Sequence, residues 1–214
     1  MLGKFITFEG GDGCGKSTQV KLLAEYLKSK NINPVLTKEP GSTDEGKIIR
    51  ELLVCGDKDK FDAITEALLY YADRRCNLTK VVWPELEKGN WVISDRYADS
   101  TEAYQYYGYN KRVNIDVLHN LYNIVARDFK PDLTIILDIN PEVGMRRSFA
   151  KASKMDVKEL RFESRDIEFH NNLRQGFLEI AKRDKERCVV LNADTDIMSL
   201  HKNIVAVVEQ RLVK

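Results

Sequence analysis

Residues 4–18 read KFITFEGGDGCGKST, and no other stretch limits so sharply what the chain can become. Phe5, Ile6 and Phe8 make a β-prone apolar run, with Thr7 suited to a buried strand. Gly10-Gly11-Asp12-Gly13-Cys14-Gly15-Lys16-Ser17 fits GxxxxGK[ST], and after Thr18 residues 19–29 continue with helical periodicity. Strand, glycine loop and helix thus follow in the order a phosphate-binding P-loop requires. The glycines let backbone N–H groups turn inward around phosphate oxygens, and the positive end of the helix adds to the attraction. Lys16 is expected to reach the β/γ-phosphates and the Ser17 hydroxyl to hold Mg²⁺. Gly10 through Thr18 is therefore the expected ATP-binding segment.

A buried strand of this kind needs a sheet around it. Further strands are expected at 33–38 (NPVLTK), 91–93, 133–138 (LTIILD) and 187–192 (RCVVLN). Helical patterns fill 48–54, 62–87, 99–107, 113–127, 141–182 and 196–213. The alternation argues α/β with a mainly parallel sheet. At 214 residues, with no repeat or linker, one domain spanning 1–214 is expected, burying roughly 70% of its unfolded surface. Lys+Arg 34 against Asp+Glu 33 leaves a formal charge of +1, which gives no support to nucleic-acid or membrane-surface binding. No signal-peptide core or membrane-length apolar run is seen. Cys14, Cys55, Cys76 and Cys188 lack metal or disulfide spacing, as reduced thiols of a cytoplasmic enzyme would. His119, His170 and His201 show no ligand spacing either.

In a parallel sheet, ligands bind beyond the carboxyl ends of the strands. Five polar stretches fall there: the P-loop, KEPGST (38–43), SDRY (94–97), the stretch after LTIILD, and NADTD (192–196). Pro40 and Gly41 make the second of these a sharp loop. Their convergence points to a two-substrate enzyme. Asp95-Arg96 taken alone reads sooner as a surface ion pair than as a site. Tyr70 and Arg74, four apart on a helix, share a face. Of the cluster Tyr104, Tyr106, Tyr107 and Tyr109, only Tyr104 is taken as a site residue. Glu9 reads equally as a group that helps hold metal or positions the loop and as a structural one.

With GGDGCGKST, KEPGST, YYADRR and DRYADSTEAYQ in view, the sequence resembles the thymidylate kinases, P-loop enzymes that phosphorylate dTMP to dTDP. The resemblance covers nearly the whole chain, and residues 95–105 are its most specific part. It implies the nucleoside-monophosphate-kinase fold, an α/β domain with a five-stranded parallel sheet, and a homodimer. Its substrates would be ATP and dTMP, with Mg²⁺ held at Ser17 and Asp95. Arg96 matches the arginine that clamps the acceptor phosphate, and Asp12 the acidic residue near the sugar or metal. Tyr70 matches the aromatic that stacks on thymine, and Arg74 the arginine that meets a thymine carbonyl. Thr101 falls at the pyrimidine edge and Tyr104 beside the sugar 2′ position. Glu39, Ser100 and Gln105 complete the acceptor side. Lys38 replaces a common arginine, and Ser42 a common glycine.

Arg147, Lys151, Lys154, Lys158, Arg161 and Arg165 recur at spacings of four, three, four, three and four, one face if the segment is helical. Like charges so placed cost about 0.2–0.5 kcal/mol per pair, so they do not serve the helix. The P-loop carries Cys14 and no arginine. By the resemblance, such members draw cations from a mobile lid, here about 143–165, making Arg146, Arg147 and Arg161 candidates, with Arg147 and Arg161 grouped with Lys16 and Arg96 as catalytic. A deoxynucleoside kinase acting on a 5′-hydroxyl and a P-loop ATPase switch stay open as alternatives.

Overall fold

The computed structural model describes residues 3–57, 59–155, 161, 162 and 165–213, with no side chain described over 151–155. Its sheet has five strands: β1 (Phe5–Glu9), β2 (Val35–Lys38), β3 (Val92–Asp95), β4 (Leu133–Asp138) and β5 (Cys188–Asn192). Their order is β2-β3-β1-β4-β5 and every pairing is parallel, so all carboxyl ends share one edge. β1 lies at the centre, and all five of its residues are buried.

Alternation along β1 gives the two faces different chemistry. Ile6 and Phe8 join Ile93, Leu133, Ile135 and Leu137 beneath α1 (Lys16–Ser29) and α9 (Ile197–Leu212), which contribute Leu23, Leu27, Leu200 and Ile204. The other face carries Thr7 in register with Ser94 and Thr134, all fully buried, with Glu9 beyond them. Buried polar groups need partners. The Thr7 and Thr134 hydroxyls meet at 2.7 Å. Glu9 accepts from the Tyr97 N–H at 2.7 Å and from Ser100 Oγ at 2.5 Å. Arg187 Nη1 donates to Thr134 Oγ1 and to Asp99, each at 2.6 Å. This polar seam fixes the turn after β3 and the start of α5 (Ala98–Glu102) above the end of β1.

The helices depart from the sequence pattern in four places. α2 (Asp44–Val54) begins four residues early, because the Thr43 side chain caps it by accepting from the Gly46 N–H at 3.0 Å. The helix expected at 62–87 is α3 (Ala63–Asn77), a π-helical turn (Leu78–Val82) and α4 (Trp83–Glu87). A second π-helical turn (Ala103–Gly108) follows α5, and α6 (Ile115–Ala126) comes next. Such turns gather at functional sites.

The fourth departure is a correction. The single helical region expected over 141–182 is two helices, α7 (Pro141–Met155) and α8 (Ile167–Arg183). Asp166 starts the second by capping the Phe169 N–H at 2.8 Å. Arg161 stands in a turn between them and Arg165 just before α8, so the six cations do not line one helix face. Lys158 lies outside the described residues, as do the side chains of Lys151 and Lys154.

Candidate active site

At the carboxyl edge of the sheet lies a cleft of about 630 Å³. The P-loop forms one end. Gly13 and Gly15 take φ of 72° and 100°, and a Cβ on Gly13 would stand 2.0 Å from the Gly144 carbonyl oxygen. Only glycine permits that approach of loop to α7. Lys16 Nζ curls over the loop, donating to the Gly10 and Gly11 carbonyls at 3.0 and 2.8 Å. Ser17 Oγ donates to Asp95 Oδ2 at 2.6 Å. A hydroxyl beside a carboxylate at the loop's mouth is a donor set that suits Mg²⁺. Asp12, Gly13, Gly15 and Thr18 also line the cleft, whereas Gly10, Gly11 and the buried Cys14 build the loop from behind.

Arg96 occupies the middle. Its φ of +74° is in the left-handed region, which strains a non-glycine residue. Backbone bonds hold it there: Arg96 N–H to the Phe8 carbonyl at 2.9 Å, and Ser94 Oγ to the Arg96 carbonyl at 2.7 Å. Its guanidinium donates to the Gly10 carbonyl (3.0 Å), Ser100 Oγ (2.9 Å), Asp12 Oδ1 (2.6 Å) and Tyr104 Oη (2.9 Å). Tyr104 Oη in turn donates to Asp12 Oδ2 at 2.8 Å. Burial pushes the Asp12 carboxyl up, but Arg96, Lys16 and the Tyr104 hydroxyl together hold it below its usual range. Behind Arg96, burial and the charge of Asp99 push the Glu9 carboxyl up to about 8. Both Glu9 oxygens are engaged by the turn, so its part here is to position Tyr97 and Ser100.

The far end is buried and polar. Arg74 is 1% exposed, with Nε on Glu39 at 2.8 Å and Nη2 on Thr101 Oγ1 at 3.0 Å. It lies over the Tyr71 and Tyr97 rings at 4.6 and 5.0 Å. Asn77 Nδ2 donates to the other Glu39 oxygen at 3.0 Å. Burial still raises the Glu39 carboxyl, only partly offset by Arg74 and Asn77. The buried atoms here without a hydrogen-bond partner include Arg74 Nη1, a donor, and Gln105 Oε1, an acceptor. Such orphans in a cleft wall are the signature of polar atoms kept for a ligand. Tyr70 lines the same end, where burial keeps its hydroxyl protonated.

The cleft thus gathers Asp12, Lys16, Ser17, Glu39, Tyr70, Arg74, Asp95, Arg96, Ser100, Thr101, Tyr104 and Gln105. Arg147 joins them from α7, donating to the Ala193 carbonyl at 3.2 Å and lying 3.5 Å from Asp194, while Arg146 is exposed outside the lining. Arg161 also lines the cleft, yet it is not a free cation. It is 3% exposed, and Nε, Nη1 and Nη2 donate to the Asp57 carbonyl (2.8 Å), the Leu53 carbonyl (3.0 Å) and Glu66 (2.6 Å). The sequence reading missed Arg50, Glu66 and Phe162. Arg50 lines the cleft from α2 and donates to the Pro40 carbonyl at 3.1 Å, a position signalled only by following the KEPGST loop by a helix. Ser42 is accounted for: its hydroxyl accepts from Lys38 N–H at 2.7 Å and donates to the Lys38 carbonyl at 2.5 Å, closing that loop.

A parallel sheet in this order, a P-loop at its central strand and a second buried recognition site across the same cleft define a P-loop nucleotide kinase. Comparison with known proteins narrows the class. The sequence profile described as thymidylate kinase matches residues 8–204. A thymidylate kinase of Sulfurihydrogenibium sp. is 43% identical over 210 residues, covering 98% of each chain. One from Caulobacter vibrioides is also 43% identical, again with 98% of each chain covered. The crystal structure of a thymidylate kinase from Ehrlichia chaffeensis superposes with a TM-score of 0.76 at 34% identity, covering 97% of this chain and 99% of that one. The chain belongs to the thymidylate kinase family.

Proposed function

We propose that this kinase transfers the γ-phosphoryl group of ATP to dTMP, giving dTDP, within a single domain over 1–214. The observation that carries the reading is Arg96, a half-buried cation set between the P-loop and the far recognition site. A cation there suits an acceptor that brings its own phosphate. Attack on the γ-phosphoryl by an acceptor phosphate needs no protein nucleophile and no covalent intermediate. Lys16 meets the β/γ-phosphates of ATP in the cradle of Gly10 to Thr18. Arg96 clamps and orients the acceptor phosphate, and Asp12 with Tyr104 and Ser100 hold that guanidinium in place. Ser17 and Asp95 would hold Mg²⁺, which when bound neutralises phosphate oxygens. Tyr70 stacks on thymine, Arg74 and Thr101 meet its polar edge, Glu39 fixes Arg74, and Gln105 completes the wall. Arg147, on a lid spanning about 143–165, supplies positive charge over the donor.

A homodimer and a cytoplasmic setting belong to the same reading. The dimer is supported by exposed apolar pairs one turn apart, Ile48 with Leu52 on α2 and Ile64 with Leu68 on α3, and by Ile124 on α6, three helices packed side by side. The four cysteines are free, in keeping with a reducing compartment. Among the described residues no helix is long and apolar enough to cross a membrane. ADP release measured with dTMP, with thymidine and with no acceptor tests the function. Strong stimulation by dTMP alone is expected. Equal stimulation by thymidine would favour a nucleoside kinase, and acceptor-independent release an ATPase switch.

A further inference from the structure

One buried carboxylate outside the ring of groups that would touch a nucleotide joins three parts of the acceptor end. Glu66, on α3, is fully buried. Its Oε1 accepts from Arg161 Nη2 at 2.6 Å and from Tyr109 Oη at 2.8 Å, and its Oε2 from Gln105 Nε2 at 3.0 Å. The Arg161 side chain is fully buried as well, and its three nitrogens are directed at Asp57, Leu53 and Glu66. With its side chain fully buried and a donor on each nitrogen held by the protein, this guanidinium is tied into the cleft wall. Its neighbour Phe162 does line the cleft, packed edge-on against the Tyr104 ring at 5.5 Å and lying 6.5 Å from the Tyr70 ring. A carboxylate can only accept, so Gln105 must turn its amide nitrogen to Glu66 and leave Oε1 as the end without a partner.

We propose that Glu66 is a positioning residue of the acceptor site, acting through two arms. Through Arg161 it seats Phe162 against Tyr70 and Tyr104, and through Gln105 it fixes the polarity of the amide in the cleft wall. Arg161 is then a positioning residue too, and the two buried charges form one unit, since removing either leaves the other unpaired. The proposal rests on the reading of this end as the dTMP site.

The test uses the full chain as wild type, Glu66→Gln, Arg161→Gln and the double variant. It reads KM for dTMP and for ATP, and the single-turnover rate at saturating substrates. Each single variant is expected to raise the dTMP KM at least about tenfold, with ATP KM and single-turnover rate within about threefold of wild type. The double variant should match the worse single variant and not their product, as residues acting as a unit do. A loss beyond about 100-fold in the Arg161→Gln single-turnover rate, with dTMP KM unchanged, would make Arg161 a phosphoryl contact and overturn the proposal. An unchanged dTMP KM in Glu66→Gln overturns it equally. Should the charge variants fail to fold, Phe162→Leu reads the same arm: dTMP KM rises while ATP KM does not, and no change refutes the assignment. A wild-type enzyme inactive on dTMP but active on another acceptor would sink the functional reading alone, and the same variants assayed with that acceptor would still decide this one.

Discussion

Replacing Arg74 by Met removes the only cation within bonding reach of Glu39 among the described residues. Both side chains are nearly inaccessible, at 1% and 2%. In the variant the carboxylate keeps Asn77 as a donor but sits in a buried site without its counter-charge. Breaking a buried pair from one side costs about 3–5 kcal/mol, a large fraction of the ~5–15 kcal/mol that holds a typical domain together. The cost should depend on pH, with a definite sign. Burial already lifts the Glu39 carboxyl above its ordinary range, and Arg74 is the chief force opposing that rise. Without Arg74 the native carboxyl holds its proton to higher pH than the unfolded one. The native state then binds the extra proton, so stability falls as pH rises above the ordinary carboxylate range. Urea unfolding at about pH 5 and about pH 8 measures the effect, with the larger loss expected at the higher pH. Arg74→Met/Glu39→Gln should recover most of it, because no buried charge is then stranded. A loss under ~1 kcal/mol at the higher pH, or equal losses at both, would refute the reasoning.

Lys16→Ala should abolish turnover and leave unfolding stability nearly unchanged, since its ammonium contacts only the loop carbonyls and the Cys14 sulfur; retained activity in a steady-state assay would remove it from the site. Tyr104→Ala should narrow the preference for dTMP over its ribo-analogue, a gap of about 1–3 kcal/mol if the ring leaves the 2′-hydroxyl without a partner; an unchanged kcat/KM ratio would contradict this. Asp73, lifted from 3.8 to about 7 by burial and the charge of Glu39, binds a proton in the native state that the unfolded chain has released. Stability should therefore fall between about pH 4 and pH 7, by at most something of the order of 4 kcal/mol. Asp73→Asn keeps an acceptor for the Gly41 N–H, now 3.0 Å away, and should flatten that slope in unfolding titrations; parallel curves for the two proteins would speak against it.

Local chemistry is what the sequence makes legible. The P-loop could be read because its glycines, lysine and serine are contiguous, and β4 because LTIILD is a buried apolar run whose bounds 133–138 agree with the structure. Tyr70, Arg74 and, within DRYADSTEAYQ, Asp95, Arg96, Ser100, Thr101, Tyr104 and Gln105 carry motif spacing and do line the cleft. The Arg161–Glu66 pair spans 95 positions and has no local signal, so Arg161 read only as one more cation in a periodic run. Its burial depends on carbonyls at the end of α2 that only the tertiary fold supplies. The break between α7 and α8 did leave a trace, since Asp166 before an apolar residue is an N-cap signal, but the regular charge spacing masked it. Arg50 was passed over because its value comes from the turn at Pro40 that brings the KEPGST loop beneath α2.

The central claim is that the buried end of the cleft reads the thymine edge of a monophosphate. Arg74 Nη1 is a donor without a partner and Gln105 Oε1 an acceptor without one, the complement of a carbonyl beside an N–H. Cytosine presents the reverse order, an amino group beside an unprotonated ring nitrogen, and would leave both protein atoms unpaired. Sites built on hydrogen bonds reject a mismatched analogue far more strongly than apolar pockets do, by factors up to about 10⁴–10⁵. The direct measurement is kcat/KM for dTMP against dCMP at saturating ATP and Mg²⁺. A preference for dTMP of at least about 10³ is predicted, and a ratio near unity would contradict the account.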